Sequence, residues 1–246
     1  MARENTVYLM GRISKPTISI IEELGTYKLG FVINIFRANG RKDHIKVLVY
    51  GLTEERARTA WAKMKDNCWV IVRGMVATRL KKKTVVCPKC GLEKEVNILI
   101  TEVISYDVPV VLNGDYNVED LYEICNNVSV FGYVCTDVKL NTEGKSLMYQ
   151  IKIDRRFNVE EQGDTRADYP WIKTFGKQAQ LDRQHISRSS GVFVNGVLQT
   201  RELIRHYVCL GEGCDGVIDY KDTVAEILSR NTEYFTDCNF WLGDDK

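Results

Sequence analysis

The chain has 246 residues, 44% of them hydrophobic and 27% charged, an ordinary globular composition that excludes a long disordered tail and a low-complexity protein. Its 34 Lys and Arg stand against 33 Asp and Glu, a net charge of +1, so a generally basic nucleic-acid binder is excluded and any cationic surface has to be local. The opening stretch MARENTVYLMGRISK has no long apolar run. We therefore expect no signal peptide, no membrane span and a cytoplasmic protein, in which the 8 Cys serve metal ligation or burial rather than a disulfide framework.

In chain order, TVYLMGRIS reads as a strand, YKLGFVINIFR as a second and DHIKVLVYG as a third. In the third, Ile45, Val47 and Val49 alternate with His44, Lys46 and Tyr50, which gives one apolar face. Thr53 then stands as an N-cap with Glu54 and Glu55 in the first helical turn. Ala57, Ala60, Trp61 and Met64 follow at helical spacing. CWVIVRGMVATR resumes the strand pattern, and after a basic, Cys-containing insertion VNILITEVIS forms a fifth strand. Three strands, a helix and two strands is the order of a five-stranded OB barrel. Trp61 on the helix stripe and Trp69 at the head of the fourth strand are assigned to the core.

DVPVVLNGDYNVEDLYEIC carries turn residues and a short acidic helical pattern and is read as a linker. The same order then returns as NNVSVFGYV, SLMYQIKIDRRF, DYPWIKTFG, a weaker helical stretch near Gln178–Ile186, GVFVNGVLQTRE and TVAEILSR. Asn5 and Gly11 recur at Asn126 and Gly132. Gly74, Thr78, Arg79 and Cys87 recur at Gly196, Thr200, Arg201 and Cys209, all at a nearly constant offset. One order of motifs held over most of the chain marks an internal repeat. We expect an all-β protein with short helices, made of two tandem five-stranded OB-fold barrels, each with a Cys-containing insertion between strands 4 and 5. The first domain is placed at 1–106, the linker at 107–125, the second domain at 126–236 and a short tail at 237–246.

These motifs resemble the bacterial and phage single-stranded DNA-binding protein family. The resemblance is carried in the first copy by Asn5-Thr6-Val7, Gly11-Arg12, Val49-Tyr50-Gly51, Val72-Arg73-Gly74 and Ala77-Thr78-Arg79. In the second copy it is carried by Asn127-Val128, Gly132, Thr174-Phe175-Gly176-Lys177 and the run Val194 to Arg201, whose Gly-x-Leu-Gln-Thr-Arg is the most specific part. It implies OB folds that sheathe single strands in replication, recombination or repair, as assemblies with four OB domains. A homodimer would supply them, whereas a metal shared between the two halves also suits a self-sufficient monomer. The chain departs from the common pattern in having two OB copies, a Cys-bearing insertion in each, and only DCNFWLGDDK in place of a long acidic tail.

Single strands are held without sequence preference by aromatic faces beside cations that follow the phosphates. By period two, Tyr169, Trp171, Lys173 and Phe175 share one strand face in the second copy, and His44, Lys46, Leu48 and Tyr50 share it in the first. The resemblance implies stacking at His44, Tyr50, Tyr169 and Phe175. Phe36 with Arg37, and Arg156 with Phe157, combine a ring and a guanidinium at the ends of the two second strands. Arg41 and Lys42 follow in the hairpin, while Arg79, Lys81, Lys82 and Lys83 leave the fourth strand as a basic run with Arg201 as the second copy's counterpart of Arg79. These are the expected DNA contacts. Affinity should then fall with salt at a slope of ~0.7 per phosphate neutralised.

Cys87-Pro88-Lys89-Cys90-Gly91 has the two-residue gap that lets two thiolates reach one metal. Cys209 and Cys214 lie at the equivalent place with a four-residue gap. We expect one structural zinc ion per chain on Cys87, Cys90, Cys209 and Cys214. A metal completed by another chain, or a regulatory disulfide in each insertion, also fits this spacing. Cys68, Cys125, Cys135 and Cys238 are read as buried or incidental thiols, Cys68 in the core, and His185 and His206 as surface residues without partners.

No phosphate loop, no His-x-Glu with a downstream Cys pair and no Gly-x-Ser-x-Gly occurs, and 3 His leave few bases, so we expect no enzyme. The competing reading is an OB-fold adaptor, primosome-like or a recombination accessory, acting mainly through replication or recombination proteins.

Overall fold

The structure is a computed structural model, in which residues 4–21, 24–114, 116, 124–141, 145–155 and 166–235 are described. The first half contains β1 (Asn5–Ile21), β2 (Thr26–Phe36), β3 (Lys42–Leu52), α1 (Glu54–Lys63), β4 (Trp69–Val86), β5 (Glu93–Ser105) and β6 (Val110–Leu112). The second contains β7 (Asn126–Val134), β8 (Lys139–Leu140), β9 (Ser146–Asp154), β10 (Ala167–Asp168), β11 (Trp171–Phe175), α2 (Gly176–His185), β12 (Gly191–Val208) and β13 (Val217–Phe235).

In the first half β1 pairs with β2, β2 with β3, β3 with β5 in parallel, β5 with β4, and β4 closes back onto β1. In the second half β7, β9, β11, β13 and β12 close by the same cycle, again with the third and fifth strands parallel. Each ring is the closed five-stranded OB barrel expected from the element order. Alternation fills it: Ile45, Val47 and Val49 of β3 are buried together with Val7, Leu9, Leu29, Ile33 and Val103.

The repeated polar and glycine positions have physical reasons. Asn5 donates to the Val76 carbonyl and accepts from the Val76 N–H, both at 2.9 Å. Asn126 makes the same pair of bonds with Leu198. Each Asn thus splices the first strand of its barrel onto the fourth. A Cβ at Gly11 would stand 2.5 Å from the Asn34 carbonyl oxygen, and one at Gly132 would stand 2.6 Å from that of Lys152, so backbones cross there at a distance only glycine allows.

The two barrels form one body. β1 pairs antiparallel with β7, Asn5 opposite Val130 and Leu9 opposite Asn126, so the sheet runs through both. Two reciprocal clamps reinforce the join. Arg155 donates to both carboxylate oxygens of Asp168, at 2.8 and 2.6 Å, and Asp168 accepts the Thr78 backbone N–H of the other barrel at 2.6 Å. In mirror fashion Arg37 pairs with Asp43, which accepts the Thr200 backbone N–H at 2.6 Å, and the Arg37 guanidinium also reaches the Thr200 carbonyl. The Asp43 carboxylate holds the Arg37 guanidinium above its ordinary pKa.

Several expectations change. β4 and β12 do not stop at the Thr-Arg pair but run on to Val86 and Val208. The basic run Lys81, Lys82 and Lys83 therefore lies within a strand, and the Cys insertions are the tips of two long hairpins. Those hairpins pack together over a second small core of Val85, Val96, Ile98 and Ile218. The segment read as a linker contributes β6, paired to Trp69, Val70 and Ile71 of β4. Its acidic helical pattern, at 117–123, and the tail 237–246 with Cys238 lie outside the described residues.

Trp61 is not core: it is 48% exposed, because Ala57, Ala60 and Met64 face inward and Trp61, one position on, turns to solvent. Trp69 is buried as expected, edge-on to Tyr116 at 5.9 Å. Cys68 is half-buried at the rim of the core rather than within it, whereas burial pushes the Cys125 thiol up to about 11. His206 has a partner after all, with Nδ1 2.7 Å from Asp219, and His185 stacks on Tyr234 at 4.9 Å. No helix among the described residues is long and apolar enough to cross a membrane.

Candidate nucleic-acid interface

β11 is five residues long, and its pleat decides which side chains reach solvent. Ile172 and Thr174 point inward at 0% exposure, which leaves Trp171, Lys173 and Phe175 on the outer face. Tyr169, two positions before the strand, continues the row and is 37% exposed, while Phe175 is 46% exposed. Lys173 Nζ lies 5.0 Å from the Phe175 ring centroid. Lys139 Nζ, on β8, lies 6.0 Å from the Trp171 ring. Lys139 was not singled out in the sequence because β8 is only two residues long; its pairing with Met148 of β9 brings it there.

The matching face of the first barrel is poorer in rings. His44 is exposed, with Nδ1 2.6 Å from Asn34 Oδ1. Leu48 is buried at 4% exposure, and Tyr50 is half-buried against Met75, Ala77 and Ile104. Phe36 is half-buried under Lys42, whose Nζ stands 4.8 Å from the ring centroid.

The cations expected to follow phosphates divide into two groups. Lys46 and Arg79 both hold Glu102, at 3.1 and 2.8 Å, and Glu102 is fully buried. Lys173 and Arg201 hold Glu226 in the same way, at 3.9 and 2.9 Å. These four are tethered beside the shelf at reduced net charge. Arg37 belongs to the clamp between barrels. Lys81 and Lys83 point the same way, and their mutual repulsion makes Lys81 give up its proton more readily than an isolated lysine. Lys82 pairs with Glu95 at 3.5 Å. Arg41 and Lys42 are exposed at the β2–β3 hairpin. Arg156 and Phe157 lie outside the described residues, and the counterpart of Arg37 is Arg155, one position earlier than the sequence matching placed it.

The hairpin tips bring Cys87, Cys90, Cys209 and Cys214 together, all four sulfurs within 4.8 Å of one another. The Cys87–Cys214 pair is at 3.8 Å and the Cys90–Cys209 pair at 3.6 Å, both between hairpins. Sulfurs at about 2.3 Å from a tetrahedral zinc stand about 3.8 Å apart, so the group has the size of a closed four-thiolate site. Backbone N–H groups of Cys90 and Lys89 point at the Cys87 sulfur and draw its thiol down to about 6. A Cβ at Gly216 would stand 2.8 Å from the Cys87 sulfur, so glycine there leaves room for the cluster.

Residues 125–206 match the model of the Single-strand binding protein family. No curated protein matches the chain in sequence. Among solved structures the chain is similar to the wild-type single-stranded DNA binding protein from Thermus aquaticus, at 14% identity and a TM-score of 0.62, with 98% of each chain covered. A deletion mutant of that Thermus aquaticus protein matches at 14% identity and the same TM-score over 96% of each chain. The shared architecture thus spans both barrels. The family match lies on the second barrel, residues 125–206, and the likeness in fold covers both barrels.

Proposed function

We propose that the protein binds single-stranded DNA without catalysis and largely without sequence preference, sheathing strands during replication, recombination or repair. The observation that carries this reading is the outer row of Tyr169, Trp171 and Phe175, with Tyr169 and Phe175 exposed and Trp171 half-buried between them on a strand whose other face is sealed, and with Lys139 and Lys173 over two of its rings. An exposed aromatic row of this kind is costly unless it is used, and base stacking is what such a row supplies. Phosphates would run past Lys81, Lys83, Arg41 and Lys42. Lys46, Arg79, Lys173 and Arg201 would border the shelf.

Titration with oligonucleotides of stepped length, followed by tryptophan quenching, tests it. Changing Trp171→Ala and Phe175→Ala together should weaken binding at least about thirtyfold, from ~1–3 kcal/mol per stacked base. Unchanged affinity would favour the OB-fold adaptor instead.

The four cysteines would hold one structural zinc ion, which would supply a cross-link between the hairpins and no open coordination position. Metal analysis of anaerobically purified protein should give one zinc per chain and none in Cys90→Ser. Hydrogen exchange at the hairpin tips should rise in that variant.

A further inference from the structure

On the first barrel, the outer ends of β1, β2 and β3 enclose a notch of about 370 Å³. Its charged lining is Arg12, Lys15 and Lys42, with no carboxylate among the lining residues, and Asn34, His44 and Phe36 complete the walls. Pairing between strands sets this row. Arg12 lies opposite Asn34, Asn34 opposite His44, and Phe36 opposite Lys42. Lys15 reaches the rim because β1 breaks register between Ser14 and Thr17, with Lys15 itself in the left-handed region at a φ of 53°. A lysine held in that conformation costs free energy, as happens where a side chain is aimed for use.

The second barrel provides an internal control. Its matching row is Tyr133 opposite Lys152, with Tyr169 beyond. Asp154 and Ala167 pair where Phe36 and Lys42 do, and Thr136 follows Tyr133 as Lys15 follows Arg12. Three cations in one barrel are thus replaced by one lysine and one aspartate in the other, among the described residues. The concentration of positive charge is not a requirement of the OB topology, because the second barrel closes by the same strand cycle without it.

We propose that this notch is a subsite for one phosphorylated nucleotide unit. The phosphate is held among Arg12, Lys15 and Lys42, and the base edge meets Asn34 and His44 beside Phe36. About 370 Å³ lies within the range of small-molecule sites and suits a single nucleotide. The Asn34 amide gives Nδ2–H to Ser14 Oγ at 3.1 Å and takes one bond from His44. It thus keeps a second donor and a second lone pair for a base edge. The first barrel anchors by charge and hydrogen bonding where the second stacks. This subsite rests on the single-strand reading. The nucleotide can belong to the interior of a strand or to its phosphorylated end, since the recognised chemistry is the same.

The experiment is an NMR titration of the full chain with dTMP and with thymidine, beside tryptophan quenching by a dT oligonucleotide with and without a 5′-phosphate. dTMP should shift the signals of Asn34, Phe36 and His44, and thymidine should not. Lys15→Gln should weaken dTMP at least tenfold while the oligonucleotide still quenches tryptophan. Tighter binding of the 5′-phosphorylated oligonucleotide assigns the notch to strand ends, and equal binding assigns it to interior phosphates. If the oligonucleotide quenches but dTMP shifts nothing in the notch, or thymidine shifts it equally, the subsite is overturned and single-strand binding stands. If the oligonucleotide does not bind either, both readings fall.

Discussion

The two barrels share one strand cycle, one Asn splice and one Arg–Asp clamp, yet they expose different chemistry at the same place. On the third strand the second barrel shows Tyr169, Trp171 and Phe175, whereas the first shows His44, a buried Leu48 and a Tyr50 laid against Met75, Ala77 and Ile104. Beside it, the first barrel gathers Arg12, Lys15 and Lys42, and the second keeps Lys152 with Asp154. Residues that close the barrel and lock it to its neighbour are held in common, while those on the outer face diverge. A duplicated fold can therefore divide one task, with rings on one half and charge on the other.

The clamps offer the largest lever on this comparison. Arg155 and Asp168 are sealed, with side chains 2% and 0% exposed, whereas Arg37 is 22% exposed against 4% for Asp43. Removing one partner of a buried pair strands the other charge, so Arg155→Ala should cost about 3–5 kcal/mol in urea unfolding. Arg37→Ala should cost less, because removing the part-exposed Arg37 side chain opens a path for water to the Asp43 carboxylate left behind. Equal losses would show that the two clamps are energetically alike despite their different burial.

A smaller effect tests the faces. His44→Tyr installs the second barrel's residue on the first and should tighten oligonucleotide binding by up to about 1 kcal/mol through added stacking. No gain would mean that bases do not pass over the first barrel's third strand. The smallest effect concerns the helices. Counted from their first residues, Trp61 of α1 corresponds to Arg183 of α2, and both are exposed. Trp61→Arg should change thermal unfolding by no more than about 0.5 kcal/mol, as for an ordinary surface position. A large loss would restore Trp61 to the core.

Period-two alternation, a capped helix and an internal repeat were enough to read two OB barrels, because each is local or a matter of order along the chain. The inward face of β11 and the outward rings of Trp171 and Phe175 follow from the pleat alone. The sequence also marked the four cysteines as one candidate metal group, from spacing and from the equivalence of Cys87 and Cys209. Trp61 was misplaced because helical spacing defines a stripe but not its edges. Arg155 was missed as the counterpart of Arg37 because the segment after it differs in length between the copies.

What the chain order alone determined was the architecture and the identity of the residues able to stack, to ligate and to carry charge. Only the tertiary structure decided which charges remain available. Glu102 reaches Lys46 and Arg79, and Glu226 reaches Lys173 and Arg201, through contacts that exist once the barrels close. Asp43 and Asp168 are each committed to a threonine of the opposite barrel. Neutralisation depends on distance in space, falling off with separation and solvent exposure, and linear spacing does not encode that distance across a closed sheet.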